Sequence, residues 1–301
     1  VLMIRPARFQ SNPMTAESNV FQGRSSATPD EQQKAARREF DALAEALRSA
    51  GIAVVVVDDT PEPHTPDSIF PNNWVSFHAD GRVVLYPMEA LNRRTERRTD
   101  ILDKLDQEHG FRVNEVVDLT AHESAGHYLE GTGSMVLDRA NRIAYACLSS
   151  RTHLDPLGDF AHRMDYDVVA FDAADRNGVS IYHTNVLMNI GEAVAVICDA
   201  AIIRDDQREA VLARLIDTGH EIVSLSFDQL DAFAGNMLEL RNDAGERVIA
   251  MSAKAHSSLT DVQKQILESN GRIVSSAIDN IEMSAGGSVR CMLAEVHLPK
   301  V

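Results

Sequence analysis

The sequence predicts an α/β protein in which five small units are arranged radially around a central channel. Segments that fit turn-linked apolar strands recur about fifty residues apart, and each follows a helical stretch and a short apolar strand. A doubly wound parallel sheet has no need for a hairpin in every unit, which favours the radial array. The alternative is an ordinary mixed α/β domain with less regular spacing.

The recurring segments begin at Trp74, Tyr128, Tyr182, Phe233 and Ile281. Four of them contain a polar or glycine-containing turn, which predicts a β-hairpin in each: Ala79–Gly81, Asp138–Asn141, Ile190–Glu192 and Asn242–Glu246. The last segment is less plain, because GGSVR at Gly286–Arg290 also fits a loop.

Helical stretches followed by short strands separate these segments. The pairs of stretch and strand are Arg93–Gly110 with Val113–Leu119, Asp155–Arg163 with Asp167–Asp172, Asp205–Gly219 with Glu221–Ser226, and Thr260–Gly271 with Arg272–Ala277. The clearest signals bound a helix over Pro29–Ala50, where Thr28 is the cap, Glu31 lies in the first turn and Gly51 ends the helix before the strand Ile52–Asp58.

Composition narrows the class of protein. The 301 residues are 44% hydrophobic and 25% charged, without a Pro/Gly/Ser-rich linker, which predicts one catalytic domain over residues 1–301. Because no apolar run reaches 18 residues and Val1–Gln10 lacks a secretory profile, we expect a cytoplasmic protein that binds no membrane. The net charge of -16 disfavours nucleic acid as a partner. The oligomeric state is left open.

Three cysteines are too few and too scattered for a disulfide framework or a zinc site. Cys147 and Cys198 lie in apolar strand runs, where cysteine is usually a small buried hydrophobe. Cys291 instead follows Gly286 and Gly287, which allow a tight turn, and Arg290 adds a positive charge next to it. Cys291 is therefore the candidate nucleophile, and the alternative is a cysteine that opens a last core strand.

A nucleophilic cysteine needs an acid/base partner. His183 stands at the head of its strand segment, at the place that Glu130 occupies in the preceding repeat, and Cys291 lies close to the corresponding place in the fifth. Since the inner ends of radially arranged strands converge, these three side chains are expected to meet. A structural histidine and a capping glutamate remain the alternative.

Six motifs in order resemble the guanidine-modifying, or pentein, superfamily of arginine deiminases, dimethylarginine dimethylaminohydrolases, amidinotransferases and citrulline hydrolases. They are DSIFPNNWVSF from Asp67, LNRRTE from Leu91, LEGTGSMV from Leu129, LSSRTH from Leu148, YHTNV from Tyr182 and GGSVRCM from Gly286. The resemblance implies a five-bladed α/β propeller with Cys291 as nucleophile and His183 and Glu130 as catalytic partners. It implies no cofactor and no metal.

Two departures from the family pattern concern the reacting end of the substrate. Members that act on guanidines carry an acidic residue where this chain has Asn73, preceded by Asn72, and arginine deiminases carry a second acid at the position of Asn185. An amide offers both N–H donors and a carbonyl acceptor, which suits an uncharged ureido group better than a guanidinium.

The other end of the substrate is better preserved. The resemblance implies that Asp67 holds an α-amino group and that Arg93 and Arg151 hold an α-carboxylate, although Arg94 could replace Arg93 in the gapped stretch. Together these residues specify a free α-amino acid.

The leading hypothesis is therefore a citrulline hydrolase that forms ornithine, ammonia and carbon dioxide. In it the Cys291 thiolate attacks the ureido carbon, and His183 protonates the departing nitrogen and then activates water. The alternatives are an arginine deiminase or dimethylarginine dimethylaminohydrolase and, from another class, a non-catalytic binding protein of the same fold.

Overall fold

The computed structural model describes residues 1–16, 19, 21–23 and 27–300 of the chain. In these residues the strands are β1 (Leu2–Arg5), β2 (Val55–Asp58), β3 (Val75–Phe77), β4 (Arg82–Leu85), β5 (Glu115–Asp118), β6 (Val136–Asp138), β7 (Ile143–Cys147), β8 (Asp167–Phe171), β9 (Met188–Ile190), β10 (Val194–Ile197), β11 (Glu221–Ser224), β12 (Leu238–Arg241), β13 (Arg247–Ser252) and β14 (Arg272–Ser276). The α-helices are α1 (Pro29–Ser49), α2 (Asp100–Gln107), α3 (Gly131–Ser134), α4 (Leu154–Met164), α5 (Thr184–Leu187), α6 (Asp205–Asp217), α7 (Phe227–Asp231), α8 (Ala253–Ser258), α9 (Asp261–Asn270) and α10 (Asp279–Ala285). Short 3₁₀ segments occupy Pro71–Asn73, Leu91–Glu96, Thr120–Ala125, Asp199–Ala201 and Val289–Met292.

Four three-stranded sheets repeat one topology. In each, a hairpin pairs the first two strands antiparallel, and a helix-containing connection returns the third strand parallel to the second. We call these sheets blades one to four: β3–β4–β5, β6–β7–β8, β9–β10–β11 and β12–β13–β14. The four hairpins predicted with polar turns are confirmed.

The fifth blade is assembled from both ends of the chain. β1 runs parallel to β2, and Ala294 pairs antiparallel with Leu2 through two backbone hydrogen bonds of 2.8 and 3.0 Å. The segment from Ile281, which the sequence left open between a hairpin and a loop, forms α10 and then the 3₁₀ turn Val289–Met292. Gly286, at φ +64°, ends the helix and turns the chain toward the centre. The fold is the predicted five-bladed α/β propeller.

Helix α1 forms as its sequence signals indicate. The Thr28 hydroxyl accepts from the Glu31 amide while the Glu31 carboxylate accepts from the Thr28 amide, which completes a capping box. Gly51, at φ +82°, follows the helix. The apolar face of α1, which includes Phe40 and Leu43, packs under the fifth blade.

The predicted helix over Arg93–Gly110 is divided in two. Leu91–Glu96 is 3₁₀ and only Asp100–Gln107 is α-helical. In a 3₁₀ turn side chains at i and i+3 eclipse one another, so Arg93 and Glu96 point together into the interior and pair there. The departure from an α-helix thus delivers a buried cation to the centre of the propeller.

Apolar side chains fill the space between the blades and their outer helices, leaving the inner ends of the strands to polar residues. Searched over the described ranges, no helix is both long and apolar enough to cross a lipid bilayer.

Candidate active site

Cys291 lies in the 3₁₀ turn that ends the fifth repeat, and its thiol is buried. A Cβ on Gly287 would lie 2.8 Å from the ring of Phe70, so glycine lets this turn approach the wall of the cavity. The sulfur contacts two amides: Asn236 Nδ2 at 3.3 Å and Asn185 Nδ2 at 3.5 Å. The nucleophile predicted from sequence is therefore held at the junction of three blades.

Arg290 does not direct its charge at this sulfur, contrary to the expectation from sequence. Its guanidinium donates to the Leu293 carbonyl at 2.8 Å and to the Glu295 carboxylate at 2.7 Å. The Glu295 carboxylate offsets that positive charge. Although Arg290 adjoins Cys291 in the sequence, its side chain extends toward Glu295 and not toward the sulfur.

His183 and Glu130 meet as the equivalence of their repeat positions predicted. His183 Nε2 lies 2.9 Å from Glu130 Oε2, and both side chains are buried. A carboxylate oxygen accepts, so Nε2 carries the proton and Nδ1 is left with its lone pair. His183 and Cys291 line one cavity, together with Asn73 and Arg93.

Two arginines determine the ionisation of this pair. Burial disfavours the Glu130 carboxylate, but Arg151 and Arg93, each 3.5 Å away, and the bond from His183 hold its pKa well below the usual range. Burial lowers the pKa of His183 to about 4, and the bond to Glu130 only partly opposes this. Because the arginines already share the charge of Glu130, the resting pair is carboxylate with neutral imidazole.

Gly133, in α3, makes room for the histidine. A Cβ at this position would lie 2.7 Å from His183 Nδ1 and 2.5 Å from Asn73 Nδ2. Both distances are shorter than van der Waals contact. The absence of a side chain here therefore allows Asn73 and His183 to pack on the same turn of backbone.

The structure distinguishes the two arginines that the sequence left ambiguous. Arg93 is buried in the cavity wall, whereas Arg94 bonds to the Met88 carbonyl and pairs with Glu123 outside it. Arg93 donates to Glu96 at 3.0 Å and to Asn73 Oδ1 at 3.1 Å. Much of the positive charge of Arg93 is thus neutralised by Glu96. The binding of a substrate carboxylate by Arg93 stays a prediction.

Asp67 presents an unsatisfied acceptor. Its Oδ2 accepts from Asn12 at 2.7 Å and lies 3.7 Å from Arg93 Nε, while its buried Oδ1 has no hydrogen-bond partner among the described residues. A buried carboxylate oxygen without a donor is costly unless a ligand supplies one. This placement fits the predicted binding of an α-ammonium group.

Arg151 connects the cavity to the N-terminal segment. Its guanidinium lies over the ring of Tyr182, donates to the Thr15 carbonyl at 3.2 Å and pairs with Glu89 at 3.3 Å. With Thr15 and Asn19 in its wall, the cavity has a volume of only about 10 Å³, room for roughly one water molecule. An amino acid is larger than this cavity, so the wall must move before one can enter.

The two asparagines at the family's acidic positions have different surroundings. Asn73 lines the cavity, and its Oδ1 faces Arg93, which can only donate. Asn185 lies against the Cys291 sulfur, and the residues that form the cavity wall do not include it. Its predicted contact with substrate stays a prediction, whereas its contact with the nucleophile is observed.

Asn236 is the polar group at this site that sequence reasoning missed. It is completely buried, its Nδ2 contacts Cys291, and its Oδ1 accepts from the Arg290 amide at 3.0 Å. It stands two residues before the start of β12, as Asn73 stands two residues before the start of β3. Comparison of repeat positions could have found it.

The other two thiols are buried in blades, as predicted. Burial raises the pKa of Cys147 to about 12 and that of Cys198 to about 11. Neither thiol is ionised at neutral pH, so neither competes with Cys291 as a nucleophile.

The cavity at Cys291 is smaller than a second cavity of about 960 Å³, which lies away from Cys291. Hairpin turns and strand ends line it, including Arg139, Glu192 and Arg241.

A cluster of His127, His153 and Asp155 also lies outside the site, with the two rings stacked at 3.7 Å. His127 Nδ1 lies 2.8 Å from the Asp155 carboxylate, and His153 Nδ1 accepts from the Asp155 amide at 3.1 Å, so both of these ring nitrogens have partners within the cluster.

One known enzyme family matches nearly the whole chain. The profile of the family described as N,N dimethylarginine dimethylhydrolase, eukaryotic, matches residues 5–298. The chain belongs to this family. It is therefore a C–N hydrolase of the guanidine-modifying superfamily that the sequence motifs resembled. Among curated proteins, none matches the sequence significantly.

Solved structures share the fold at low identity. ArgZ from Cyanobacteria, described as an arginine dihydrolase, superposes with a TM-score of 0.75 at 18% identity over 100% of this chain. The chain spans 41% of that protein, but it covers 98% of the isolated ArgZ N-terminal domain, with a TM-score of 0.74 and 20% identity. A dimethylarginine dimethylaminohydrolase variant superposes with a TM-score of 0.61 at 13% identity, covering 97% of each chain.

Proposed function

We propose that the enzyme hydrolyses free arginine twice at the same cysteine, first to citrulline and then to ornithine. The net reaction consumes two water molecules and releases two of ammonia and one of carbon dioxide. Citrulline hydrolysis, the leading hypothesis from sequence, becomes the second half of this reaction.

The observation that carries the proposal is that Arg93 joins an ionised carboxylate, Glu130, to a neutral amide, Asn73, which lines the cavity. Arg151 and Arg93 keep Glu130 ionised, so it can pair with an incoming guanidinium. Asn73 lines the cavity and carries no charge. The ureido oxygen of citrulline would meet an amide there, rather than the second carboxylate that would repel it.

The likeness to ArgZ supports this choice. One ArgZ structure is of a variant with an asparagine replaced by serine, covalently bound to a reaction intermediate, and another is of a cysteine-to-serine variant bound to substrate. The first is a covalent complex and the second a substrate complex of a domain that this chain matches over nearly its whole length.

The first half-reaction begins when the Cys291 thiolate adds to the guanidinium carbon. His183 has taken up at Nδ1 the proton that the Cys291 thiol loses on ionising, and it donates this proton to the departing nitrogen; ammonia leaves, and an amidino thioether remains on sulfur. Neutral His183 then takes a proton from water through Nδ1. The resulting hydroxide adds to the same carbon, the C–S bond breaks, and citrulline is formed.

The second half-reaction repeats the attack on the ureido carbon of citrulline. Ornithine now leaves, protonated by His183, and a carbamoyl thioester stays on Cys291. Hydrolysis releases carbamate, which decomposes to ammonia and carbon dioxide. Glu130 supports the imidazolium that forms in each protonation cycle, because its Oε2 already holds the ring at 2.9 Å.

The head of the amino acid is assigned to two groups. The unsatisfied Oδ1 of Asp67 accepts from the α-ammonium group, and Arg151, once it releases the Thr15 carbonyl, binds the α-carboxylate. The substrate carboxylate thus replaces the Thr15 carbonyl as a hydrogen-bond partner of Arg151.

Family membership favours a second candidate, hydrolysis of N-methylated arginine. It requires the same nucleophile and releases a methylamine in place of ammonia. A non-catalytic binding role is a weaker alternative, because Cys291, His183 and Glu130 are assembled in one buried site.

One substrate panel separates these possibilities. The protein would be incubated with arginine, mono- and dimethylated arginine, citrulline and agmatine, and ammonia, amines, citrulline and ornithine would be quantified. We expect ornithine from both arginine and citrulline, with two equivalents of ammonia from arginine. Arginine that stops at citrulline identifies a deiminase, and methylamine release identifies the second candidate.

A charge variant tests the role of Asn73. Asn73→Asp should reduce citrulline turnover while arginine deimination persists, since a carboxylate cannot donate to the ureido oxygen. Asn189→Asp is the matched control, because Asn189 is also a buried asparagine and is not part of the cavity wall. Equal loss on both substrates, or the same effect in the control, removes Asn73 from substrate selection.

A further inference from the structure

Asn236 lies behind the nucleophile in an orientation that its neighbours determine. The Arg290 backbone amide can only donate, so the atom 3.0 Å from it must be the Asn236 carbonyl oxygen. The amide nitrogen therefore faces the Asn185 carbonyl at 2.9 Å and the Cys291 sulfur at 3.3 Å. Asn236 can present only N–H groups to that sulfur.

Asn185 is not committed in this way. Its Nδ2 lies 3.5 Å from the sulfur and its Oδ1 lies 3.8 Å away, so it can donate to a thiolate or accept from a thiol. Two side-chain amides contact the Cys291 sulfur. Only that of Asn236 must act as a donor there, so only Asn236 necessarily favours the thiolate over the thiol.

The segment that carries Asn236 is pressed against the neighbouring blade. A Cβ on Gly235 would lie 2.5 Å from the Val186 carbonyl oxygen, so glycine permits this approach. The side chain has no exposed surface. Its amide is thus held rigidly between the backbone of blade three and the turn of Cys291.

The groups that the sequence offered for stabilising the thiolate act elsewhere. Arg290 binds Glu295 and the Leu293 carbonyl, and the resting imidazole of His183 is neutral. The hydrogen-bond donors that do contact the sulfur are the neutral amides of Asn236 and Asn185.

We propose that Asn236 is a further catalytic residue, whose amide N–H groups hold Cys291 as a thiolate aimed into the cavity. The proposal rests on the assignment of Cys291 as the nucleophile. A hydrogen bond to an ionised group favours that form, and loss of this bond should raise the midpoint of thiol ionisation by about one to two pH units.

The test measures alkylation of Cys291 by iodoacetamide as a function of pH, with the labelled cysteine identified by peptide mass. It needs no substrate, so it gives a result even if the panel above shows no turnover. Asn236→Ala should raise the midpoint by one to two units, and Asn236→Asp should raise it at least as far, because a carboxylate would face the thiolate. Asn236→Ser retains a donor and should fall between the wild type and Asn236→Ala.

Asn189→Ala is the matched control, since Asn189 is a buried asparagine of blade three whose Nδ2 has no hydrogen-bond partner among the described residues. Its midpoint should equal that of the wild type. An unchanged midpoint in the folded Asn236 variants overturns the proposal. So does failure of all three to fold while Asn189→Ala folds, because Asn236 would then be a structural residue.

Discussion

Gly133→Ala tests whether the catalytic geometry depends on the close approach of His183 and Asn73 to α3. The new methyl group would lie 2.7 Å from His183 Nδ1 and 2.5 Å from Asn73 Nδ2, against about 3.4 Å for ordinary contact. The imidazole must therefore retreat by roughly 0.7 Å and the amide by roughly 0.9 Å, or the α3 backbone must move. Either movement disturbs the 2.9 Å bond between His183 and Glu130.

The expected result is a selective loss of turnover. A misplacement approaching 1 Å can cost on the order of 100-fold in rate, while overpacking of a buried site costs about 1 to 3 kcal/mol of stability. We expect kcat to fall by about 30- to 100-fold on the best substrate of the panel, with a cooperative thermal transition retained.

Gly158→Ala is the control, because Gly158 lies in α4 and a Cβ there meets nothing within 4 Å. Alanine in a helix interior should leave kcat unchanged and stabilise the fold by about 0.5 to 1 kcal/mol. Steady-state kinetics and thermal unfolding of both variants provide the comparison. Wild-type kcat in a folded Gly133→Ala protein would refute the role assigned to this approach.

Three further perturbations test other parts of the site. Cys291→Ser should fold like the wild type and lose measurable turnover, since a hydroxyl is a far weaker nucleophile at neutral pH; turnover near the wild-type rate contradicts the covalent route. Arg151→Ala should raise KM more than it lowers kcat, and an unchanged KM would exclude it from carboxylate binding. Burial lowers the pKa of His78 to about 3, so the stability that this neutral histidine contributes is complete above pH 6.5 and is lost as the pH falls below it. Urea unfolding at pH 7 and pH 5 should show His78→Gln losing about 2 kcal/mol less than the wild type over that interval, and equal losses would contradict the assignment.

The blades could be predicted from sequence because their signals are local. A hairpin turn such as Asp138–Asn141 and a capping box such as Thr28 with Glu31 each lie within a few residues of the structure that they determine. The fifth blade could not be predicted in this way. Its first pairing joins Leu2 to Ala294, so no local pattern marks that strand, and the glycines before Cys291 gave only a turn.

The same distinction holds within the site. Glu130 and His183 could be paired because their repeat positions are equivalent, and the propeller brings equivalent positions to one centre. The direction of the Arg290 side chain could not be predicted, since its partner Glu295 lies on the strand segment that closes the ring. Asn236 was missed because asparagine gives no signal of its own: its role depends on a sulfur and a backbone amide from another blade.

The two asparagines at the family's acidic positions therefore have different consequences. Asn73 is directed by Arg93 in the cavity wall, so a change of charge there acts on the ligand. Asn185 contacts the sulfur, and a carboxylate in its place would repel the thiolate whichever substrate is bound. Under the proposed function, specificity and reactivity would be set by separate amides, and replacing both at once would confound them. In the proposed reaction a neutral residue at the first position would admit a ureido group, while neutral donors at the second and at Asn236 would stabilise a nucleophile that receives no cation from citrulline.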